Sequence, residues 1–408
     1  MRKIKNIYQL LLVSISLILM ASCSNTKSNE EKEYVEVKNN SNDITLNSNC
    51  PPGFQLNENN ECVARNLYDQ YVYDTYENRG VGGLKSGLPK IREGFSPQQI
   101  DLGRYLFFDP ALSGDGSVSC ASCHDPNQGF SDGKALGTGI HNAKMKRSSP
   151  TLWNVGYLKS LFWDARAGSL EQQMLGPLYS EEEMGNTEEQ LFETLNGIET
   201  YRELFAKAFP NRDYNDSIQL HEVYTSIAAF ETSLISLNSK YDQYAHGYHE
   251  ALNENEIKGL NIFRSFVARC AECHTPPLFT NQQVAVIGTP EQDGLPLDPG
   301  AEITFNDPSR RAGFKVPTLR NIEKTAPYMH SGKFKTLREA VEFYTKGRGH
   351  AVPEGEDLFI HWHIWEPNLT DTELDRLVDF LKTLTDESFK PRIPKVLPSE
   401  LKTKQNNS

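Results

Sequence analysis

Apolar positions along the chain recur at the three-and-four spacing of amphipathic helices rather than the alternation of strands. The pattern predicts helices over residues 98–108, 187–209, 218–237, 254–269 and 370–384. Ser96 stands where it caps the first of these, and Asn253 or Asn255 stands where it caps the fourth. The last opens on Thr370-Asp-Thr-Glu373, a capping-box pattern, and carries Leu374, Leu377, Val378, Leu381 and Leu384 as one stripe. Such a stripe is first of all ordinary core packing. No strand-rich stretch stands out between the helices, so the fold class is mainly α with long loops.

The N-terminus breaks the pattern. Arg2, Lys3 and Lys5 precede an almost wholly apolar run from Ile7 to Met20, followed by Ala21, Ser22 and Cys23. A basic start, a short apolar run and small residues make residues 1–22 a signal peptide. The run falls short of the roughly 20 residues that span a bilayer. A cysteine directly after Leu19-Met20-Ala21-Ser22 resembles a bacterial lipoprotein processing site, so Cys23 is the expected lipidation site. Residues 23–49, rich in Asn, Ser, Glu and Lys, cannot bury enough apolar surface to order themselves and read as a flexible tether. The expected product is an exported lipoprotein facing the periplasm, with residues 391–408 as a C-terminal tail.

Charge narrows the class. A net charge of −12 over 408 residues argues against a nucleic-acid partner. An acidic surface attracts small basic proteins, although solubility alone is the commoner reason for it.

The seven cysteines then fall into groups. Cys23 is the lipid site. Cys50 and Cys62 bracket a short Pro- and Asn-rich loop and, in an oxidising compartment, predict a local disulfide within an N-terminal extension over residues 50–94. The other four sit in Cys120-Ala-Ser-Cys123-His124 and Cys270-Ala-Glu-Cys273-His274. Each is a C-x-x-C-H haem-attachment motif. Two thiols add across the vinyl groups of one porphyrin, and the adjacent histidine becomes the proximal iron ligand. A zinc site would gather four ligands, and a redox dithiol would leave His124 and His274 at identical offsets unexplained. Two covalent c-type haems are therefore expected.

Each motif follows a helix with the same signature, Gly103-Arg-Tyr-Leu106-Phe107 in one and Gly259-Leu-Asn-Ile262-Phe263 in the other. That self-similarity predicts two cytochrome c-like haem domains, over residues 95–250 and 251–390.

The segments beyond the motifs carry a more specific likeness. Ser149-Pro-Thr-Leu-Trp-Asn154, Phe162-Trp163-Asp-Ala-Arg-Ala167, Leu170-Glu-Gln-Gln173 and Glu183-Met-Gly185 lie between the haem sites. Phe314-Lys-Val-Pro-Thr-Leu-Arg-Asn321 and Thr325-Ala-Pro327-Tyr-Met-His330-Ser-Gly332 follow the second. In order and spacing this string resembles the bacterial di-haem cytochrome c peroxidase and MauG family from about Phe95 to Leu384. The resemblance implies a first haem that accepts hydrogen peroxide, a second that relays electrons, a tryptophan between them and a calcium ion near their interface.

Carried over position by position, His124 and His274 match the proximal ligands and Trp163 the bridging tryptophan. Gln173 and Glu183 match the distal pair, where a carboxylate moves a proton from one peroxide oxygen to the other. His141 falls where family members carry a histidine that caps the first iron at rest. Thr325 and Pro327 match carbonyl donors to calcium, but Ser148 stands where the family has an asparagine. At the sixth ligand position of the second haem the peroxidases carry methionine, and here the matching residue is Tyr344, as in MauG. A phenolate favours oxidised iron; the alternative is a core tyrosine with another ligand such as Met329. His350, His361, Trp362, His363 and Trp365 form an aromatic loop suited to a haem edge or partner surface.

The reading is therefore a peroxidase that reduces hydrogen peroxide to water, fed through the second haem by an electron-donor protein such as a small cytochrome. A MauG-like oxidase of a protein partner and a non-catalytic two-haem carrier are the alternatives, and Gln173 and Glu183 argue against the carrier. Beyond peroxide and donor, the partners expected are the anchor's membrane and a second copy of the chain as a homodimer.

Overall fold

The computed structural model describes residues 44–64, 88–347 and 349–407. The export signal and Cys23 lie outside the described residues, as does most of the tether. Among the described residues no helix is long and apolar enough to cross a membrane.

Extended structure there is confined to two antiparallel pairs. β1 (Phe54–Leu56) pairs with β2 (Cys62–Ala64), and β3 (Val284–Val286) with β4 (Gly313–Lys315), setting Val284 opposite Lys315. The rest is helix and turn. In the first half run α1 (Pro97–Phe108), α2 (Cys120–Cys123), α3 (Leu170–Tyr179), α4 (Glu188–Gly197), α5 (Glu199–Ala208) and α6 (Leu220–Thr232). The second half holds α7 (Lys240–Ala245), α8 (Glu254–Phe263), α9 (Cys270–Cys273), α10 (Ala301–Phe305), α11 (Leu337–Thr345) and α12 (Asp371–Lys382).

Side chains that compete for the backbone set several helix ends. The stretch over 187–209 is two helices, not one. It breaks at Gly197-Ile198, where the Asn196 side chain reaches out to bond both the N–H and the carbonyl of Ile218. α6 stops at Thr232 rather than running to Leu237, because the Ser233 hydroxyl takes the Phe230 carbonyl and Asn154 binds the extended chain at Leu234 and Ser236. α8 ends at Phe263 because Ser265 bonds Ile262 and Ala268 instead of continuing the helix. The caps at Ser96, Asn253 and Thr370 all form as capping boxes.

Two hydrophobic cores result, one per haem domain. Leu102, Leu106, Phe107, Tyr201, Phe205 and Phe230 are central to the first; Tyr241, Phe263, Phe279, Leu377 and Phe380 are central to the second. Each is built on one helix crossing. α1 passes α6 so closely that a Cβ at Gly103 would meet the Ser226 peptide, and α8 passes α12 so closely that a Cβ at Gly259 would meet that of Arg376. Phe107 lies 5.1 Å from Phe230, and Phe263 lies 5.0 Å from Phe380. The shared Gly-x-x-(Leu/Ile)-Phe signature is thus a crossing point followed by the aromatic that seals it.

The repeat continues past the haem motifs at a constant sequence offset. Thr151 donates to the Gly129 carbonyl as Thr318 does to Leu278, and Asn154 and Asn321 both adopt positive φ. Leu161 bridges Ala167 as Tyr328 bridges Phe334. Ala165 and Gly332 turn at φ +61° and +60°. Ser169 and Thr336 cap the next helices.

Segments near both ends of the described residues pack on this frame. Cys50 and Cys62 are disulfide-bonded, and Phe54, Cys62 and Phe95 form a small core with Ile235, Leu237 and Leu278. At the other end the chain returns to the first haem domain. Leu397 is buried there, the Ser399 hydroxyl donates to Asp109, and Gln405 Nε2 donates to the Ala121 carbonyl inside the first haem motif.

Candidate active site

Both C-x-x-C-H motifs form a single helical turn, α2 and α9, with the histidine as C-cap. His124 Nδ1 lies 3.0 Å from the Phe130 carbonyl, and His274 Nδ1 lies 3.1 Å from that of Phe279 and 3.2 Å from that of Pro317. A carbonyl only accepts, so Nδ1 carries the proton and Nε2 keeps its lone pair free for a metal. Burial lowers both imidazoles, His274 to about 4, which keeps them neutral and ligating. Phe130 and Phe279 turn at φ +60° and +55° to present those carbonyls. Four free thiols at the right spacing and two half-buried, pre-oriented imidazoles fit covalent haem at both motifs.

Glu183 is brought to the first motif. Burial raises its carboxyl, with Glu182 adding and Arg166 opposing. Burial likewise lifts the Cys123 thiol to about 11, with Asp132 and then Glu183 contributing. Arg166 lies over the Phe162 ring and pairs with Asp164 at 2.8 Å. Gln173 is half-buried on α3, the helix leading into the Glu183 turn, and its side chain makes no hydrogen bond to another described residue. The Ile140 N–H donates to the Glu183 carbonyl, so the loop carrying His141 is stitched to the acid's backbone. His141 itself is 74% exposed and points to Asp115, with Nδ1 3.9 Å from Oδ2.

Tyr344 is brought to the second motif. Burial, then the Cys270 and Cys273 sulfurs, push its phenol far above the ordinary value. α11 places it there, held by the Thr336–Glu339 capping box. The repeat aligns Tyr344 with Pro177 on α3, a residue with no side-chain donor atom. Met329 turns at φ +73° with its carbonyl taken by the Ser148 hydroxyl at 2.9 Å.

Between the motifs the two domains exchange backbone bonds. Ser148 N–H donates to the His330 carbonyl and Lys315 N–H to the Trp163 carbonyl, both at 2.7 Å. Ser148 aligns with Lys315 in the repeat, and Trp163 with His330, so the exchange has local two-fold symmetry. Trp163 Nε1 donates to the Ser148 carbonyl at 2.9 Å, and its ring meets His330 edge-on at 6.4 Å. His330 stacks on Phe314 at 3.7 Å and reaches Glu291 at 2.9 Å. Arg147 binds Asp298 through two nitrogens and Asp164 through a third; burial works against the Asp298 anion, but the arginine holds it below the usual carboxylate range. Sequence reasoning missed Arg147, Arg166 and the Phe130 and Phe279 carbonyls. The Pro-Thr-Leu-x-Asn string that occurs at both 150–154 and 317–321 is the sequence signal that could have found this junction.

The calcium donors fit less well. Thr325 packs on Gly129, the Ser148 side chain is committed to Met329, and no three His, Cys, Asp or Glu side chains converge among the described residues. The aromatic loop lies on the second motif: Trp362 and Trp365 flank Arg269, and His363 Nε2 is 2.7 Å from Glu272. His350 bonds only within its loop, to the Gly347 carbonyl.

A family model described as di-haem cytochrome c peroxidase matches residues 97–250, and a cytochrome c model matches residues 260–385. The chain is 34% identical to cytochrome c551 peroxidase of Nitrosomonas europaea over 329 residues, covering 79% of this chain and 91% of that protein. It is 32% identical to the methylamine utilization protein MauG of Methylophilus methylotrophus, covering 73% and 85%. A solved MauG-like protein associated with microbial copper homeostasis superimposes with a TM-score of 0.69 at 30% identity, covering 77% of this chain and 98% of that one.

Proposed function

The chain belongs to the di-haem cytochrome c peroxidase and MauG family, and from that premise we propose that it reduces hydrogen peroxide to water at the haem of His124. Two electrons and two protons are consumed for each peroxide, and two waters leave. The electrons come from an external donor such as a small cytochrome and enter through the haem of His274. The observation that carries this reading is the half-buried Glu183, whose charge is felt at the Cys123 sulfur of the first motif, while Pro177, with no side-chain donor, stands where the repeat puts Tyr344 at the second.

The bound haem supplies an iron at which the O–O bond breaks. Glu183 takes the proton from the peroxide oxygen nearer the metal and returns it to the farther one, which leaves as water. Arg166 keeps that carboxylate ionised enough to accept. Gln173, one helix away, orients the peroxide. His141 is the resting-state cap in this reading, and its loop, which is bonded to Glu183, shifts on reduction of the second haem and opens the peroxide site. Trp163 carries electrons across the junction. Thr325 and Pro327 would hold calcium only with water replacing a side-chain donor. Export, the lipid on Cys23, the periplasmic location and a homodimer complete the proposal; the anchor residues lie outside the described structure.

The test is peroxide-dependent oxidation of a reduced small cytochrome c by the holoprotein and by Glu183→Gln. Turnover in the parent separates an enzyme from an electron carrier. A drop of about 10²–10⁴-fold in the variant, with both haems retained, supports the role given to Glu183. Unchanged turnover overturns it.

Tyr344 favours a second reading, oxidation of a protein partner in the manner of MauG. A phenolate at the second iron stabilises its oxidised states. Tyr344→Phe should abolish an oxygen-ligand signature in the ferric optical and electron paramagnetic resonance spectra. A thioether signature in both proteins would make Tyr344 structural and leave the cytochrome-fed peroxidase alone.

A further inference from the structure

Lys315 has no role in the chemistry above, yet its charge meets no opposite charge among the described residues. It ends β4, its N–H is bonded to the Trp163 carbonyl, and its side chain is buried. Apart from His330, the buried basic residues among the described ones are Arg104, Arg320 and Lys315. Arg104 pairs with Asp101 at 2.7 Å, and Arg320 forks onto Asp242 at 2.5 and 2.7 Å and onto the Pro277 carbonyl. Lys315 has no carboxylate partner, and its ammonium donates no hydrogen bond to a described residue. Burial with nothing to offset it lowers Lys315 to about 8. Both arginines face a carboxylate, and this lysine is left for an anion that the chain itself does not supply.

Such an anion comes with the cofactor: each c-type haem carries two propionate carboxylates that must lie somewhere in the protein. We propose that Lys315 is the counter-ion of a haem propionate at the junction between the two haem domains. The inference rests on the di-haem reading. Its place supports the assignment. The backbone of Lys315 is tied to Trp163 of the first domain, and the chain runs on within two residues to Pro317, whose carbonyl holds His274. Ser148, its partner in the repeat, is short and neutral, so at this matched pair of positions only one carries a positive charge. A fixed cation beside a haem carboxylate favours the reduced, less positive iron, which makes Lys315 a positioning residue for electron flow between the haems.

The experiment is a spectroelectrochemical titration of the holoprotein, following each haem by its own absorption bands, for the parent, Lys315→Met and Lys315→Arg. A count of two haems per chain by pyridine haemochrome checks the underlying reading first; fewer than two would be a failure of that reading and not of this one. The expected result is a downward shift in potential in Lys315→Met, restored in Lys315→Arg. A shift of the second haem alone identifies its propionate as the partner, and a shift of the first alone identifies the other. Lys315→Gln, also neutral, is read in the same way should the methionine variant fail to accumulate. Unmoved potentials at both haems in a fully loaded neutral variant would overturn the proposal, because a merely structural lysine leaves them where they are.

Discussion

Replacing Gly259 by alanine tests whether the α8–α12 crossing is the frame of the second haem domain. The added Cβ would sit 2.7 Å from both the Arg376 carbonyl carbon and the Phe380 Cβ, and closer still to the Arg376 oxygen. Carbon atoms pack at about 3.5–4.0 Å, so the helices must part by about 1 Å. The Arg376 peptide is part of α12 and cannot turn aside as a flexible side chain would. A gap of that size forfeits roughly a quarter to a half of the contact energy along the seam. Leu260, Phe263, Leu377 and Phe380 are all buried there, each worth about 1.5–3 kcal/mol when fully buried. With overpacking strain of about 1–3 kcal/mol added, the loss should lie between about 2.5 and 9 kcal/mol. Denaturant unfolding of the holoprotein, followed by far-ultraviolet circular dichroism and by the absorption bands of each haem, reads it. The second haem's bands should change at lower denaturant while the first haem's transition moves little. Gly197→Ala is the control: nothing lies within 4 Å of its Cβ position, and the change should be within about 1 kcal/mol of neutral. A Gly259→Ala protein that unfolds like the parent would refute the geometry on which the duplicated-domain reading rests.

Two further outcomes follow from the site. Because burial raises the Glu183 carboxyl above its ordinary 4.5 and the ionised form must accept the proton, kcat/KM for peroxide should fall as pH drops through a value higher than 4.5. Arg166 opposes that rise, so in Arg166→Gln the acidic limb should move to higher pH; a limb that stays put or moves down would detach Arg166 from Glu183. Chelation with EGTA should leave turnover within about twofold, since Arg147 already bridges Asp164 and Asp298 at the junction and no three His, Cys, Asp or Glu side chains converge among the described residues. Loss of activity restored by added calcium would show that backbone carbonyls and water suffice for the ion.

Much of this was legible before any coordinates. The haem motifs, the repeated Gly-x-x-(Leu/Ile)-Phe signature, the capping boxes and the disulfide cysteines are local patterns; that the glycines are crossing points was not legible, because Ser226 and Arg376 lie far along the chain. The helix ends at Ile198, Thr232 and Phe263 were not legible, because distant or competing polar side chains such as Asn196, Asn154 and Ser265 set them. The tail over residues 391–408 gave no periodic signal at all. It is held by Leu397, Ser399 and Gln405 against a surface formed some three hundred residues earlier. Arg147 and Arg166 looked like ordinary surface charges in the sequence; only the fold shows what they face. The motif-based placement of Glu183 and Tyr344 rested on the family resemblance, since nothing in a Glu-Glu-Glu run or a lone helix tyrosine distinguishes a site from a solvated or core residue.

The reciprocal bonds at the junction bear on ancestry. Ser148 reaching for His330 while Lys315 reaches for Trp163 is the arrangement two identical subunits make across an isologous interface, each offering the other the same patch. Fusion of such a pair into one chain would preserve the contact and free its halves to diverge. The divergence is visible at three matched positions: tryptophan against histidine, serine against lysine, proline against tyrosine. A symmetric dimer must treat its two cofactors alike. Once its halves became one polypeptide, one iron could be left open and the other closed, so that a division of labour grew inside a contact inherited from equals.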